Sequence, residues 1–184
     1  MTLATPRQAA REPTWSGAPV FVHDTVDLPL RRTAGELPDA AWAALVPPGT
    51  MQELATAAFA AGLAELTRPA IEPTRPELLR QPQLQLLDLP LGHRAGTTVI
   101  PLRWSVAGWR DDAAPALDAN LEISSPAPHS GRLTLVGSYR APSRPQDQVW
   151  EPADLARAAQ VTARTFLSLL AATVADRQSS GTTQ

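Results

Sequence analysis

Asp24 is the residue whose type and surroundings most favour chemistry, because it interrupts an apolar strand face. Residues 19–28 alternate in polarity, and the face that carries Asp24 otherwise holds apolar side chains: Val20, Val22, Val26 and Leu28. A carboxylate on such a face would be desolvated if it pointed into a cavity. It could then act as an acid or orient a ligand hydroxyl. A strand bulge or a partner arginine would explain the same residue, and these alternatives stay open.

Arg103 is the second polar candidate, and it lies beside acidic residues in the predicted sheet. Its strand carries Leu102 and Trp104 on the opposite face, and the next strand alternates Asp118, Asn120 and Glu122. A cross-strand ion pair of about 0.2–1 kcal/mol is the ordinary interpretation. The alternative is that Arg103 is a polar anchor for a ligand carboxylate.

The residue types give no support to thiolate, Schiff-base, metal, nucleophile or phosphate-binding sites. The chain has no cysteine, and all 16 basic residues are arginine, which excludes thiolate sites and lysine Schiff bases. His23, His93 and His129 are far apart and show no metal-ligand spacing, so we predict no metal. No nucleophile elbow or glycine-rich phosphate loop is present. We therefore assign no catalytic residue and no cofactor.

Charge and hydropathy restrict the partners. The net charge is −2, and the arginines are spread along the chain, unlike the basic stripe of a nucleic-acid-binding protein. Residues 1–17 lack a secretory pattern, and no stretch of 18 apolar residues occurs. We expect a cytoplasmic protein with no membrane span and no nucleic-acid partner, of undetermined oligomeric state.

The spacing of apolar residues, and the prolines and glycines that interrupt it, predict the positions of helices, strands and loops. A length of 184 residues suits one domain, which we place at residues 18–177 between disordered segments 1–17 and 178–184. Two short helices, 37–46 and 50–66, follow the first strand, and the second begins with a capping-box pattern at Thr50. Further strands are predicted at 83–91, 97–108, 116–124 and 131–140, with loops at 67–82, 92–96, 109–114 and 125–130. A long helix covers residues 151–177.

This order predicts an α+β domain. Each strand after residue 83 has one apolar face, and an antiparallel sheet must cover that face with another element. The long C-terminal helix is large enough to do so. A space between the sheet and this helix would be a concave, mostly apolar ligand site.

Three segments resemble actinobacterial members of the SRPBCC superfamily, the START-like and polyketide-cyclase-like proteins. They are VIPLRW at 99–104, PALDANLE at 115–122 and RLTLVGSYRAP at 132–142, and the TFL of the last helix at 165–167 is similar too. The resemblance implies a helix-grip fold, in which a curved antiparallel sheet wraps around the long C-terminal helix. It also implies a deep cavity for a lipophilic or aromatic molecule. It implies no particular reaction.

The inward-facing residues are the candidate cavity wall. Besides Asp24 they are Leu102, Trp104, Leu121, Leu135, Tyr139, Phe166 and Leu170, all of which could equally be core. Trp109 lies in a predicted loop, where it would either gate a cavity mouth or fold back on the domain. Three hypotheses follow: a small-molecule-binding protein without chemistry, a cyclase-like enzyme that positions its substrate, and an accessory protein that works through its surface.

Overall fold

A computed structural model of the chain describes residues 19–30, 47–67, 82–86, 92–94, 97–106, 116–140 and 151–180. These ranges contain six strands and two helices, and the α+β class is as predicted. In chain order they are β1 (Val20–Pro29), α1 (Pro48–Thr67), β2 (Pro82–Leu86), β3 (Gly92–Arg94), β4 (Thr97–Val106), β5 (Ala116–Ala127), β6 (Ser130–Arg140) and α2 (Pro152–Ser180).

The strands form one antiparallel sheet in the order β1-β6-β5-β4-β2, and β3 pairs with β4 beside β2. The strands β4, β5 and β6, which follow one another in the chain, are neighbours in the sheet. The first strand closes against β6, the last, so the sheet is complete only when distant parts of the chain have met. The antiparallel sheet and the long C-terminal helix are therefore confirmed.

Alternation of apolar and polar residues explains why the sheet has two unlike faces. In β5 the buried residues Leu117, Ala119, Leu121 and Ile123 alternate with polar residues. In β6 the buried residues are Leu133, Leu135 and Tyr139. We call the face that carries these side chains the inner face. The opposite, outer face carries Arg103 and Asp118.

Two predicted loops are shorter in the structure. Residues 92–94 of the predicted 92–96 turn form β3, paired with the start of β4. The predicted 125–130 loop is reduced to a turn at Pro128 and His129, and His129 has a φ of 61°. The prolines of this segment suggested a loop, but a register irregularity between Ser124 and Ala127 accommodates Pro126 within β5.

Pro101 lies inside the sheet because of how β4 is paired. On the β2 side, β4 residues from Leu102 onward pair with β2, and residues up to Val99 pair with β3. Pro101 lies between these paired stretches, where the described residues provide β4 with no partner on that side. A residue without an N–H is tolerated at such an interruption.

The helix α1 begins two residues earlier than predicted. The Met51 N–H donates to the Pro47 carbonyl at 3.1 Å, and Pro48 occupies the first turn, where its missing N–H costs nothing. Thr50 is therefore inside the helix, and the predicted capping box at this residue is wrong. The helix has 20 residues, so it is not short.

The helices α1 and α2 pack closely on each other at Gly62. A Cβ atom added to Gly62 would overlap Thr162 Oγ1 and lie 2.9 Å from the Ala158 carbonyl oxygen. The Thr162 hydroxyl donates to that same carbonyl at 2.8 Å, one turn earlier in α2. Glycine is needed here because only its bare backbone allows this approach.

The core lies between the inner face and the two helices. The helix α2 packs on α1 and β1, while α1 also contacts β2. Residues on the sheet side of α2 are buried at helical spacing: Ala159, Ala163, Phe166, Leu167, Leu170 and Val174. This layering is compatible with a helix-grip fold. The curvature of the sheet and its wrapping around the helix stay predictions.

Several predictions lie outside the described residues: the 37–46 helix, the 109–114 loop, most of the 67–82 loop and the 1–17 segment. At the other end, α2 continues to Ser180, so residues 178–180 of the predicted disordered tail are helical. One helical stretch, Pro152–Ser179, is long and apolar enough to cross a membrane by length and composition. This is weak evidence for a span, because the core helix of a globular domain passes the same test.

Candidate functional site

Strand register brings Tyr139, Leu117 and Trp104 into one row across the inner face. Tyr139 is opposite Leu117 in the pairing of β6 with β5, and Leu117 is opposite Trp104 in the pairing of β5 with β4. The two ring-bearing residues are therefore separated by two strand spacings, about 10 Å between backbones. We call Tyr139, Leu117 and Trp104 the aromatic row.

Trp104 connects this row to the helix above it. The Trp104 and Phe166 rings meet edge to face, with centroids 4.9 Å apart and planes at 72°. This geometry is one that aromatic pairs prefer. Phe166 is fully buried and Trp104 is only 2% exposed. The contact fixes α2 over the β4 end of the row.

The aromatic row carries two polar atoms that lack partners. The Tyr139 hydroxyl and the Trp104 indole N–H are both buried, and neither has a hydrogen-bond partner in the described structure. Burial raises the pKa of the Tyr139 hydroxyl well above its ordinary value of 10.0, so it stays protonated and able to donate. Trp N–H can only donate, whereas a phenol both donates and accepts.

The next row of the inner face is unusually small at its centre. Gly137 is opposite Ala119, one step along β6 and β5 from Tyr139 and Leu117. A Cβ atom on Gly137 would overlap the Asp118 carbonyl oxygen and lie 2.5 Å from the Ala119 Cβ. Glycine is thus required by the approach of the two strands. Because Gly137 and Ala119 have the two smallest side chains, little side-chain volume covers the inner face next to the aromatic row. We describe the inner face as low at this pair.

The other predicted apolar cavity residues, apart from Trp109, belong to the apolar core around the aromatic row. Leu102, Leu121, Leu135 and Leu170 are buried and belong to the same apolar core as Trp104, Tyr139 and Phe166. Trp109 lies outside the described residues. Whether any of these side chains contacts a ligand stays a prediction.

Asp24 is buried as its position on the apolar face implied, and its partner is an arginine. Arg164 of α2 binds it with two nitrogens, Nε to Oδ2 at 2.7 Å and a terminal nitrogen to Oδ1 at 2.7 Å. The Thr25 N–H donates to Oδ1 at 2.8 Å. The register of β1 is unbroken through Asp24, so the bulge alternative is wrong. A carboxylate held in this way links β1 to α2 and is already fully paired.

Arg103 lies on the outer face and is directed away from the aromatic row. It is opposite Asp118 in the register, and its Nε donates to Asp118 Oδ1 at 2.7 Å. Arg140 donates to the other oxygen of the same carboxylate at 3.0 Å. Arg103 and Asp118 therefore form the cross-strand ion pair that was the ordinary interpretation of the sequence. Arg103 is half-exposed, so this pair contributes little to stability.

The described core contains few groups that could titrate or bind a metal ion. In the described part of the chain, no three His, Asp or Glu side chains come together in a group that could hold a metal ion. Asp24 is the one charged residue buried among the described residues, and Arg164 occupies it. The aromatic row can donate two hydrogen bonds inside an apolar environment, and the Tyr139 hydroxyl can also accept one.

Sequence reasoning missed two contributors. Arg164 is more than half-exposed, yet its guanidinium binds Asp24. The unexplained carboxylate on an apolar strand was the available signal that an arginine was needed. No sequence pattern indicated the contact of Thr162 with Gly62.

No family model matches the chain, and no curated protein matches it. Among solved structures, it is similar to the ZhuI aromatase/cyclase from Streptomyces sp. R1128. The identity is 14%, the match covers 87% of this chain and 96% of that chain, and the TM-score is 0.33. A TM-score this low supports no argument about function.

Proposed function

We propose that this protein binds a small lipophilic or aromatic molecule between the inner face and α2, as a START-like protein of the SRPBCC class without chemistry of its own. The observation that carries the proposal is the pair of buried donors in the aromatic row, Tyr139 and Trp104. A buried donor without a partner costs about 1–3 kcal/mol, and native proteins keep few of them. A bound molecule that accepts hydrogen bonds would remove this cost.

The surroundings of these donors favour an apolar body for the molecule. The neighbours in the sheet and helix are hydrophobic, and the Gly137–Ala119 pair lowers the inner face beside them. Small-molecule sites are mostly apolar with a few placed polar groups, which matches this composition.

The two other hypotheses find less support. A cyclase-like enzyme would be favoured by several titratable groups converging on the site, but in the described core Asp24 is paired with Arg164 and only Tyr139 is left. A protein acting through its surface would be favoured by a large exposed apolar patch. Among the residues whose side-chain burial is described, Phe21 is the one large hydrophobic residue that is well exposed.

Titration with a panel of lipophilic and aromatic compounds tests the proposal, with tryptophan fluorescence as the signal. The chain has five tryptophans, so the Trp104→Phe variant identifies the part of the signal that comes from the site. We expect saturable quenching in the parent protein that is largely lost in this variant. Absence of saturable binding across the panel, together with a bare chain mass in native mass spectrometry of protein from its own host, would reject the proposal.

A further inference from the structure

We infer that the ligand is uncharged and carries a carbonyl-type oxygen that accepts hydrogen bonds from Tyr139 and Trp104. This inference rests on the proposed function and specifies the chemistry of the same site. The starting point is that both unpaired polar atoms of the aromatic row are donors, and that the indole N–H cannot accept. A ligand that offered only donors would leave the Trp104 N–H unsatisfied.

The charge of the ligand follows from the residues around the row. A carboxylate would require a cation, and Arg164, whose guanidinium contacts the buried Asp24, is engaged by both oxygens of that carboxylate. An ammonium group would require a carboxylate, and Asp24 is held by Arg164 and by the Thr25 N–H. Burying an unpaired charge is far more costly than burying a carbonyl group.

The spacing of the donors sets the shape. Tyr139 and Trp104 are separated by Leu117, and their backbones are about 10 Å apart. Both side chains are long, so a carbonyl group above Leu117 can lie between their polar ends. The flat body of the molecule would extend over Gly137 and Ala119, where the inner face is low.

Four naphthalene derivatives of similar shape test the inference: acetylnaphthalene, ethylnaphthalene, naphthoate and naphthylmethylammonium. Dissociation constants are measured by calorimetry for the parent protein and for Tyr139→Phe, which removes one donor with little change of volume. We expect the ketone to bind about tenfold or more tightly than the hydrocarbon, the yield of one to two net hydrogen bonds. The two ions should bind more weakly than the ketone. In Tyr139→Phe the preference for the ketone should fall severalfold.

A second measurement does not depend on a variant. Tyr139 is the only tyrosine in the chain, so protein grown with fluorotyrosine gives one fluorine resonance from this site. We expect acetylnaphthalene to shift that resonance more than ethylnaphthalene does at saturation, because only the ketone accepts its hydrogen bond.

The outcomes separate this inference from the proposed function. If the ketone and the hydrocarbon bind equally and shift the fluorine resonance equally, or if the naphthoate binds best, the inference is overturned while lipophilic binding stands. Retention of the full ketone preference in Tyr139→Phe would also overturn it. If no member of the series binds, the inference is overturned, and the broad panel and native mass spectrometry described above decide the proposed function.

Discussion

The Tyr139→Phe substitution should stabilise the ligand-free protein, although most substitutions in a core destabilise it. It removes one buried oxygen and leaves the ring in place. Tyr139 is 1% exposed, and its hydroxyl has no partner in the described structure. The unfolded chain hydrates this hydroxyl fully, so the folded state alone carries the cost of its burial.

The expected gain follows from the cost of an unsatisfied buried group, about 1–3 kcal/mol. For a chain of this length, 1 kcal/mol corresponds to roughly 2–4 °C in the unfolding midpoint, so the midpoint should rise by about 2–12 °C. In denaturant the midpoint concentration should rise with no change in the m-value, because the surface exposed on unfolding is the same.

Thr162→Val is the matched control. It also removes one buried hydroxyl and preserves the branched shape, but the Thr162 hydroxyl donates to the Ala158 carbonyl at 2.8 Å. Its loss should cost about 0.5–1.5 kcal/mol, the net value of a satisfied hydrogen bond. Two removals of a buried hydroxyl should therefore change the free energy of unfolding in opposite directions. Thermal and urea unfolding followed by far-ultraviolet circular dichroism would measure both.

A loss of stability in Tyr139→Phe, comparable to that in Thr162→Val, would refute the reasoning. The hydroxyl would then be satisfied in solution without a ligand, for example by a buried water molecule, and the argument for a ligand acceptor at Tyr139 would fail. With saturating acetylnaphthalene the parent protein should become more stable than Tyr139→Phe. The reason is that a ligand adds most stability to the protein that it binds most tightly.

Three further predictions use the same unfolding assays. Because burial raises the pKa of the Tyr139 hydroxyl, the free energy of unfolding should not depend on this group below pH ~10 and should fall as the pH rises further, since only the unfolded chain then ionises it. Near-ultraviolet absorbance should show phenolate only as the protein unfolds, and early phenolate would contradict this. Arg164→Gln should lower the free energy of unfolding by about 1–3 kcal/mol, because it leaves the buried Asp24 carboxylate without its arginine. Asp24→Asn should lower it less, because the half-exposed Arg164 stays in contact with water. The opposite order of the two losses would contradict the burial argument. Gly62→Ala should cost about 1–3 kcal/mol, and adding Thr162→Ala should restore the part that comes from overlap with the Thr162 hydroxyl, because the Ala158 carbonyl oxygen still lies 2.9 Å from the added Cβ. Simple additivity of the two substitutions would show that the contact with Thr162 is not a cause.

The strands β5 and β6 were predictable because each has a buried and a solvated face. Period-two alternation placed β5 and β6 within three residues of their observed ends, since shifting either strand by one residue would bury its polar side chains. The exception was the segment around Pro126, where the prolines favoured a loop. Local composition cannot show that a strand continues past the end of its neighbour, where its backbone no longer needs partners on both sides.

The pairs that fix the helices to the sheet could not be predicted. Asp24 and Arg164 are 140 positions apart, and nothing in either local pattern indicates the other. The same holds for Gly62 and Thr162, because a glycine within a helical segment lowers helix propensity whether or not another helix crosses there. Such contacts depend on the relative position of whole elements, which periodicity does not specify.

The aromatic row shows where the two kinds of information combine. Alternation alone predicted that Trp104 and Tyr139 face inward, but only the register shows that one leucine separates them. A core that had only to be filled would accept phenylalanine at Tyr139 with the same volume and without a buried hydroxyl. We therefore expect the hydroxyl to lower the stability of the ligand-free protein and to become favourable only when an acceptor reaches it. Stability of the empty protein and affinity for the ketone should change in opposite directions at Tyr139, and a structural role alone would move both in the same direction.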